Sequence, residues 1–233
     1  MKKMKRKNKK GLVAAICLLG AFLLWTGLVC LIDVQAIGPR GSRVGLATLN
    51  GGVHGLTGEN MSLYILTDWL GLVPIGVALG FAILGLFQWI KRKRLSAVDR
   101  SILVLGVFYA VVIAVFLFFE VVVVNYRPVL IEGILEASYP SSTTLLVTCV
   151  MPTAMMQFSS RIKSVRWRRA VSFAITAFVV FMVVGRLLSG VHWVTDIIGG
   201  ALLSAGLVTG YWYFSSCGEE YPNGGFSRSG NSF

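Results

Sequence analysis

The sequence predicts an all-α, polytopic membrane protein with six transmembrane helices and both termini in the cytoplasm. Three observations carry this. Hydrophobic residues make up 55% of the 233 positions and charged residues only 14%, whereas a soluble domain carries about 25% charged residues. Six stretches approach the roughly 20 apolar residues that a helix needs to cross a bilayer core. The cationic residues gather between those stretches rather than within them. Low charge with high apolarity excludes a disordered chain, and the long uncharged runs exclude an ordinary soluble enzyme.

The elements follow in order. Residues 1–10 hold seven Lys and Arg and form a basic cytoplasmic N-terminus. The first span, 11–32, exceeds the 7–15 apolar residues of a secretory signal. A retained span is therefore expected, although Val34-Gln35-Ala36 has the look of a cleavage site. The segment 34–68 lies outside, with turn signals at Gly38-Pro39 and Asn50-Gly51-Gly52 and moderately apolar stretches suited to the membrane surface. His54 falls here, as a lone histidine. The five remaining spans are 69–90, 101–123, 142–158, 170–188 and 192–214, and the fourth of the six is short and carries Pro152. Trp25, Trp69, Trp193 and Trp212 stand near span ends, where indoles anchor at the interface. The chain thus divides into the N-terminus (1–10), a first span with its outer segment (11–68), a five-helix unit (69–214) and a loose Gly- and Ser-rich cytoplasmic tail (215–233).

Orientation comes from the charge. Eighteen of the 22 Lys and Arg lie in the N-terminus, in 91–100, in 161–169 and in the tail. By the positive-inside rule these regions are cytoplasmic. The net charge of +12 is then a topology signal and a contact for anionic lipids. Nucleic acid is not an expected partner, because no stacking aromatics or binding motif accompany the basic blocks. Cys17, Cys30, Cys149 and Cys217 show no CxxC spacing, so neither a disulfide framework nor a zinc site is expected.

The chemistry is sought among ionisable groups that a bilayer tolerates only for function. Glu120, Arg127, Arg186, His192 and Asp196 all fall toward the outer ends of spans. Three patterns hold most of them: Asn125-Tyr126-Arg127-Pro128, Tyr139-Pro140-Ser141-Ser142-Thr143-Thr144, and the run from Gly185-Arg186 to His192 and Asp196. His192 and Asp196 are four apart and share a helix face. A carboxylate there can hold one imidazole nitrogen and leave the other free. Alone, such a pair also suits a helix cap, and Ser141 to Thr144 suit N-cap hydroxyls. Together, two arginines, a helix N-terminus and an oriented histidine suit a phosphate group and nucleophilic attack on it.

These patterns resemble the type 2 phosphatidic acid phosphatase superfamily, which includes vanadium haloperoxidases and is marked by K-x6-R-P, P-S-G-H and S-R-x5-H-x3-D. Arg127 and Pro128 match the first motif, Pro140 and Ser141 the second, and Arg186, His192 and Asp196 the third. The resemblance covers about residues 69–214. Four positions depart: Glu120 stands at the lysine, Ser142 at the glycine, Thr143 at the second-motif histidine and Gly185 at the serine.

The resemblance implies roles. His192 attacks phosphorus to form a phosphohistidine, Asp196 orients it, and Arg127, Arg186 and Ser141 bind the phosphate. Glu120, Ser142 and Thr143 take auxiliary places. Glu120, seven residues before Arg127, is expected two turns away on one helix face as a brace for Arg127, or as a proton donor if desolvated. Thr143 cannot protonate a leaving group as the family's histidine does, so a lipid pyrophosphate, and an isoprenyl pyrophosphate in particular, is favoured over a phosphate monoester. The expectation is a multi-pass cell-membrane lipid phosphatase with an extracytoplasmic site. Its partners are the lipid substrate and membrane lipids, and it needs no cofactor and no metal. A catalytically silent lipid-phosphate binder is the alternative. A transporter fits less well, because the polar groups sit at one interface and not along a midplane path.

Overall fold

The computed structural model describes residues 2–216, with side chains from residue 9 onward. The tail from residue 217 lies outside the described residues. Eight α-helices follow in order: α1 (Lys2–Leu31), α2 (Ala47–Thr57), α3 (Met61–Leu70), α4 (Leu72–Arg92), α5 (Arg100–Val121), α6 (Ser142–Arg161), α7 (Val165–Leu188) and α8 (Val194–Ser216). No strand forms among the described residues, only isolated bridges.

Among the described residues, five helical segments are long and apolar enough to cross a membrane: Lys9–Leu31, Met61–Arg92, Arg100–Val121, Val165–Leu188 and Val194–Ser216. The fourth expected span, 142–158, forms as α6 but falls outside that set. The reason lies in its place. α6 packs against α4, α5, α7 and α8, and it buries Thr144, Thr153 and Gln157 as well as Leu145, Val147, Cys149 and Ala154. A helix enclosed by protein can carry polar side chains when they find partners. Thr148 Oγ1 donates to Ser204 Oγ at 2.6 Å, and Gln157 Nε2 donates to Tyr211 Oη at 2.6 Å. Pro152 is accommodated inside α6, with the neighbouring Thr153 hydroxyl bonded to the Cys149 carbonyl at 2.9 Å. α5, by contrast, is apolar nearly all round, with Phe116, Leu117 and Phe118 exposed, as suits a lipid-facing helix.

The ends of the bundle differ in kind. At one end lie Lys91–Arg100 and Arg161–Lys163, where Gln88 and Asp99 exchange two hydrogen bonds and Arg92 pairs with Asp99 at 3.1 Å. At the other end the C-termini of α1, α3, α5 and α7 meet the N-termini of α6 and α8. There Trp25 Nε1 donates to the Thr195 carbonyl at 3.1 Å, and the hydroxyls of Thr26 and Tyr139 are 2.7 Å apart.

The segment 34–68 departs from expectation in two respects: from Met61 onward it is helix α3, part of the long apolar segment Met61–Arg92, and its second turn signal is helical. Gly38-Pro39 does open a tight turn, Pro39–Gly41. Asn50-Gly51-Gly52, expected as a turn, lies inside α2. Tertiary bonds override the local preference: Asn50 is fully buried, its Nδ2 donates to the carbonyl of Gly45 and to Thr195 Oγ1, and its Oδ1 accepts from Thr195 N.

Candidate active site

The loop from 122 to 141 folds back on itself and assembles most of the site. Arg127 N donates to the Glu136 carbonyl at 3.0 Å, and Ser138 N donates to the Asn125 carbonyl at 2.9 Å. This antiparallel excursion sets Arg127, Glu136, Ser138 and Asn125 beside the 189–193 connection between α7 and α8 and the first turn of α8. α8 then begins with Asp196 in its first turn.

His192 is the centre of the arrangement. It is nearly fully buried, and its Nδ1 lies 2.9 Å from Ser138 Oγ. Ser138 Oγ in turn donates to Asp196 Oδ2 at 2.5 Å. A hydroxyl has one proton, and here it goes to the carboxylate. Ser138 Oγ therefore accepts from Nδ1–H, and Nε2 is left with a free lone pair. The expected direct pair is thus a relay: His192 Nδ1 and Asp196 Oδ2 are 4.0 Å apart with Ser138 between them. Asp196 also accepts from Trp193 N at 3.0 Å and from Asn125 Nδ2 at 3.4 Å.

Burial pushes the His192 pKa well below its ordinary value, and the positive charges of Arg127 and Arg186 push it the same way. The imidazole is accordingly neutral at neutral pH, as a nucleophile must be. We predict that His192 stays neutral, with Nε2 unprotonated, as the pH is lowered through 6.5, the ordinary histidine value. The ¹⁵N imidazole shifts of labelled protein read this directly.

Arg186, at the end of α7, is 1% exposed. Its Nη1 donates to Thr67 Oγ1 at 3.4 Å and its Nη2 lies 3.6 Å from Asp68 Oδ1. Its guanidinium carbon stands 5.0 Å from the centre of the Tyr64 ring, and that of Arg127 stands 5.8 Å from the same ring. One aromatic ring thus neighbours both cations. Arg127 Nε is 3.1 Å from Glu136 Oε2. Among the buried polar atoms of the described residues that have no hydrogen-bond partner are His192 Nε2, Arg127 Nε and Nη1, and Arg186 Nε. Buried polar groups are rarely left so, and two cationic donors near a free imidazole nitrogen are chemically able to hold a tetrahedral oxyanion.

The remaining expected residues are placed as follows. Ser141 is fully buried and caps α6: its Oγ accepts from Thr144 N at 3.4 Å, while its own N–H donates to the Asp196 carbonyl at 3.1 Å. Ser142 and Thr143 lie in the first turn of α6, half-buried. Glu120 does not stand on a common helix with Arg127, because α5 ends at Val121. The carboxylate against Arg127 is Glu136, and Glu120 instead borders a small cleft with Ser138, Tyr139 and Ser142. Trp193 is no interfacial anchor; it is 3% exposed and donates from Nε1 to the Tyr126 carbonyl at 2.7 Å. Among the described residues, no group of three His, Cys, Asp or Glu side chains is placed to hold a metal ion.

Sequence reasoning missed Ser138, Glu136, Tyr64, Thr67 and Asp68. The last three arrive on α3, and Gly185 explains how. A Cβ at Gly185 would sit 2.8 Å from Thr67 Cγ2 and 3.7 Å from Leu63 Cδ1. The departure from serine at this position is what lets α3 lie against α7 and bring Thr67 to Arg186. Gly185→Ser, which restores the motif residue, is expected to destabilise the protein by about 1–3 kcal/mol through overpacking. A fall in the thermal midpoint in detergent checks this.

The family model of the PAP2 superfamily matches residues 126–217, a stretch that contains Arg127, Ser141, Arg186, His192 and Asp196. Among solved structures, the chain is similar to the crystal structure of a transmembrane PAP2 type phosphatidylglycerolphosphate phosphatase from Bacillus subtilis. The TM-score is 0.57 at 19% identity, and the match covers 90% of this chain and 99% of that one. At this identity the likeness speaks for the fold. No curated protein matches the chain. The matched stretch contains the motif residues, and over residues 126–217 the chain is similar to the PAP2, or type 2 phosphatidic acid phosphatase, superfamily.

Proposed function

We propose that the protein is an integral membrane phosphatase that hydrolyses a lipid phosphate or pyrophosphate through a phosphohistidine on His192. The observation that carries this reading is the buried, unpartnered Nε2 of His192 beside the unpartnered guanidinium nitrogens of Arg127 and Arg186. A phosphoryl group held by the two arginines faces Nε2. The lone pair forms the N–P bond as the P–O bond to the leaving group breaks. The imidazolium charge that develops is met through Ser138 by Asp196. Water then attacks phosphorus, the N–P bond breaks, and phosphate leaves. Ser141 takes part through the first turn of α6, whose N–H groups point to the phosphate. Asp68 and Glu136 already lie against the arginines, so an arriving phosphate competes with them.

The membrane setting extends the reading. α6 supplies the sixth crossing, shielded by its neighbours. The basic blocks lie at the end opposite the site, and the positive-inside rule then places the site at the outer face of the cell membrane. A lipid enters sideways at that boundary.

With Thr143 at the second-motif position, a phosphate leaving group, which needs little protonation, is favoured over an alkoxide. Purified protein is therefore expected to release phosphate faster from an isoprenyl pyrophosphate than from phosphatidic acid. His192→Ala is the control for both. Equal or faster hydrolysis of phosphatidic acid removes the substrate preference. Absence of release by folded protein that binds both lipids moves the reading to a silent lipid-phosphate binder.

A further inference from the structure

Along α7, Phe173, Ala177, Val180, Val184 and Leu188 recur every third or fourth residue and so form one stripe down the helix. All five are exposed, whereas Arg186, on another face of the same helix, is buried. The stripe spans about 22 Å at the rise of an α-helix. It runs from the level of Arg186 toward the basic end of the bundle, where α7 begins. With Leu63 of α3 it walls a groove of about 550 Å³, within the range of about 300–1,000 Å³ that ligand clefts occupy. The groove is apolar. No charged side chain among the described residues lines it, and its hydroxyl, Thr176 Oγ1, is spent on the Ser172 carbonyl at 2.9 Å.

The outer end of this groove backs onto the phosphate site. Gly185 lines the groove, and the next residue is Arg186. Leu63 lines it too, and the next residue is Tyr64, the ring beside both arginines. At this level the helices meet through Thr67, whose Cγ2 stands 2.8 Å from where a Gly185 Cβ would be and whose Oγ1 accepts from Arg186 Nη1. Glycine at position 185 therefore keeps the wall between groove and guanidinium one side chain thick.

The occupant follows from chemistry and place. A polar ligand finds no free partner in the groove, so hydrocarbon fills it. The groove starts beside the arginines and continues inward for more than the roughly 15 Å of one leaflet's hydrocarbon. A lipid held by its phosphate at the outer end lays its tail along such a path.

We propose that the groove between α3 and α7 seats the isoprenyl tail of the substrate, past Leu63 and Leu188 and down the α7 stripe. The inference rests on the phosphatase reading above and adds where the tail is recognised. Transfer of a tail from lipid into an apolar groove gains little, because both are apolar. The groove acts by orientation instead: a tail lodged along α7 holds the pyrophosphate in one register against His192 Nε2. Tail length is then read as rate.

The test fills the groove and varies the tail. Ala177→Phe adds a ring to the groove from an exposed position, so the packed interior is spared. Ala110→Phe makes the same change at an exposed position of α5, outside the groove. Both variants and the full-length parent are assayed in detergent on geranylgeranyl pyrophosphate, whose tail reaches down the groove, and on isopentenyl pyrophosphate, whose tail does not. Ala177→Phe is expected to lower kcat/KM on the long substrate by about 10-fold or more, the scale on which apolar pockets discriminate. It leaves the short substrate within a few-fold of the parent, and Ala110→Phe changes neither. The ratio of the two rates in one preparation does not depend on how much of the variant is folded. Unchanged rates on both substrates, the mark of a groove filled by bulk lipid or by a second copy of the chain, overturn the proposal. So does an equal loss on both, or the same selective loss in Ala110→Phe. A parent that releases phosphate from neither substrate overturns the phosphatase reading beneath it.

Discussion

His192→Ala is expected to reduce phosphate release by roughly 10⁴–10⁶-fold, the scale on which removal of a nucleophile acts. The fold should persist, because the one hydrogen bond lost is that from Nδ1 to Ser138 Oγ, and Ser138 keeps its bond to Asp196. Ser138→Ala is the informative companion. It removes the hydroxyl that fixes the tautomer while His192 and Asp196 remain, 4.0 Å apart. Activity should fall by about 10–100-fold, as for loss of a partner that orients a ligating or reacting histidine, with kcat affected more than KM. Steady-state release of inorganic phosphate from a lipid pyrophosphate checks both variants.

Arg186 carries the second large effect. Its guanidinium is buried against Tyr64, with Nε unpartnered and Nη1 on Thr67. Arg186→Met keeps the length and loses the charge and the fork of donors. Removing one preorganised donor to a developing anion costs about 10²–10³-fold, so a loss of at least that size is expected. Arg186→Lys should recover little of it, because an ammonium cannot both rest on the Tyr64 face and present a planar pair of N–H groups. Arg186→Met leaves Asp68 without its cation, yet Asp68 is more than half exposed and stays solvated. The kinetic effect is therefore expected to exceed the effect on stability, and parallel activity and thermal-melt series separate the two.

What could be read in the sequence, and what could not, divides along physical lines. Arg127, Arg186, His192 and Asp196 were legible because each is an ionisable group at the end of an apolar run, at spacings a motif fixes. The helices were legible because charge-free runs of bilayer length have few other stable forms. α6 was the weakest span by pattern, for a reason the fold supplies: a helix enclosed by four others is under no pressure to be apolar on every face. Glu120 misled because its spacing to Arg127 has helical meaning only if the helix continues, and α5 stops at Val121. Ser138 and Glu136 lay in a loop without periodicity, and their placement comes from backbone pairing with Asn125 and Arg127. Tyr64, Thr67 and Asp68 come from the outer segment, whose docking depends on contacts more than a hundred residues distant in sequence. Two local signals did point to that docking. Gly185 marks where α3 presses on α7, and Asn50, in a triplet that reads as a turn, marks where α2 is held to α8.

The central claim is that Nε2 of His192 becomes covalently bonded to phosphorus. The most direct measurement is to mix purified protein with lipid phosphate labelled with ³²P at the terminal phosphorus, quench in alkaline denaturant within the first turnover, and map the label. The account predicts an acid-labile, alkali-stable label on the peptide that contains His192, absent from His192→Ala and chased by unlabelled substrate. Rapid turnover with no protein-bound label, or a label that persists in His192→Ala, would contradict it.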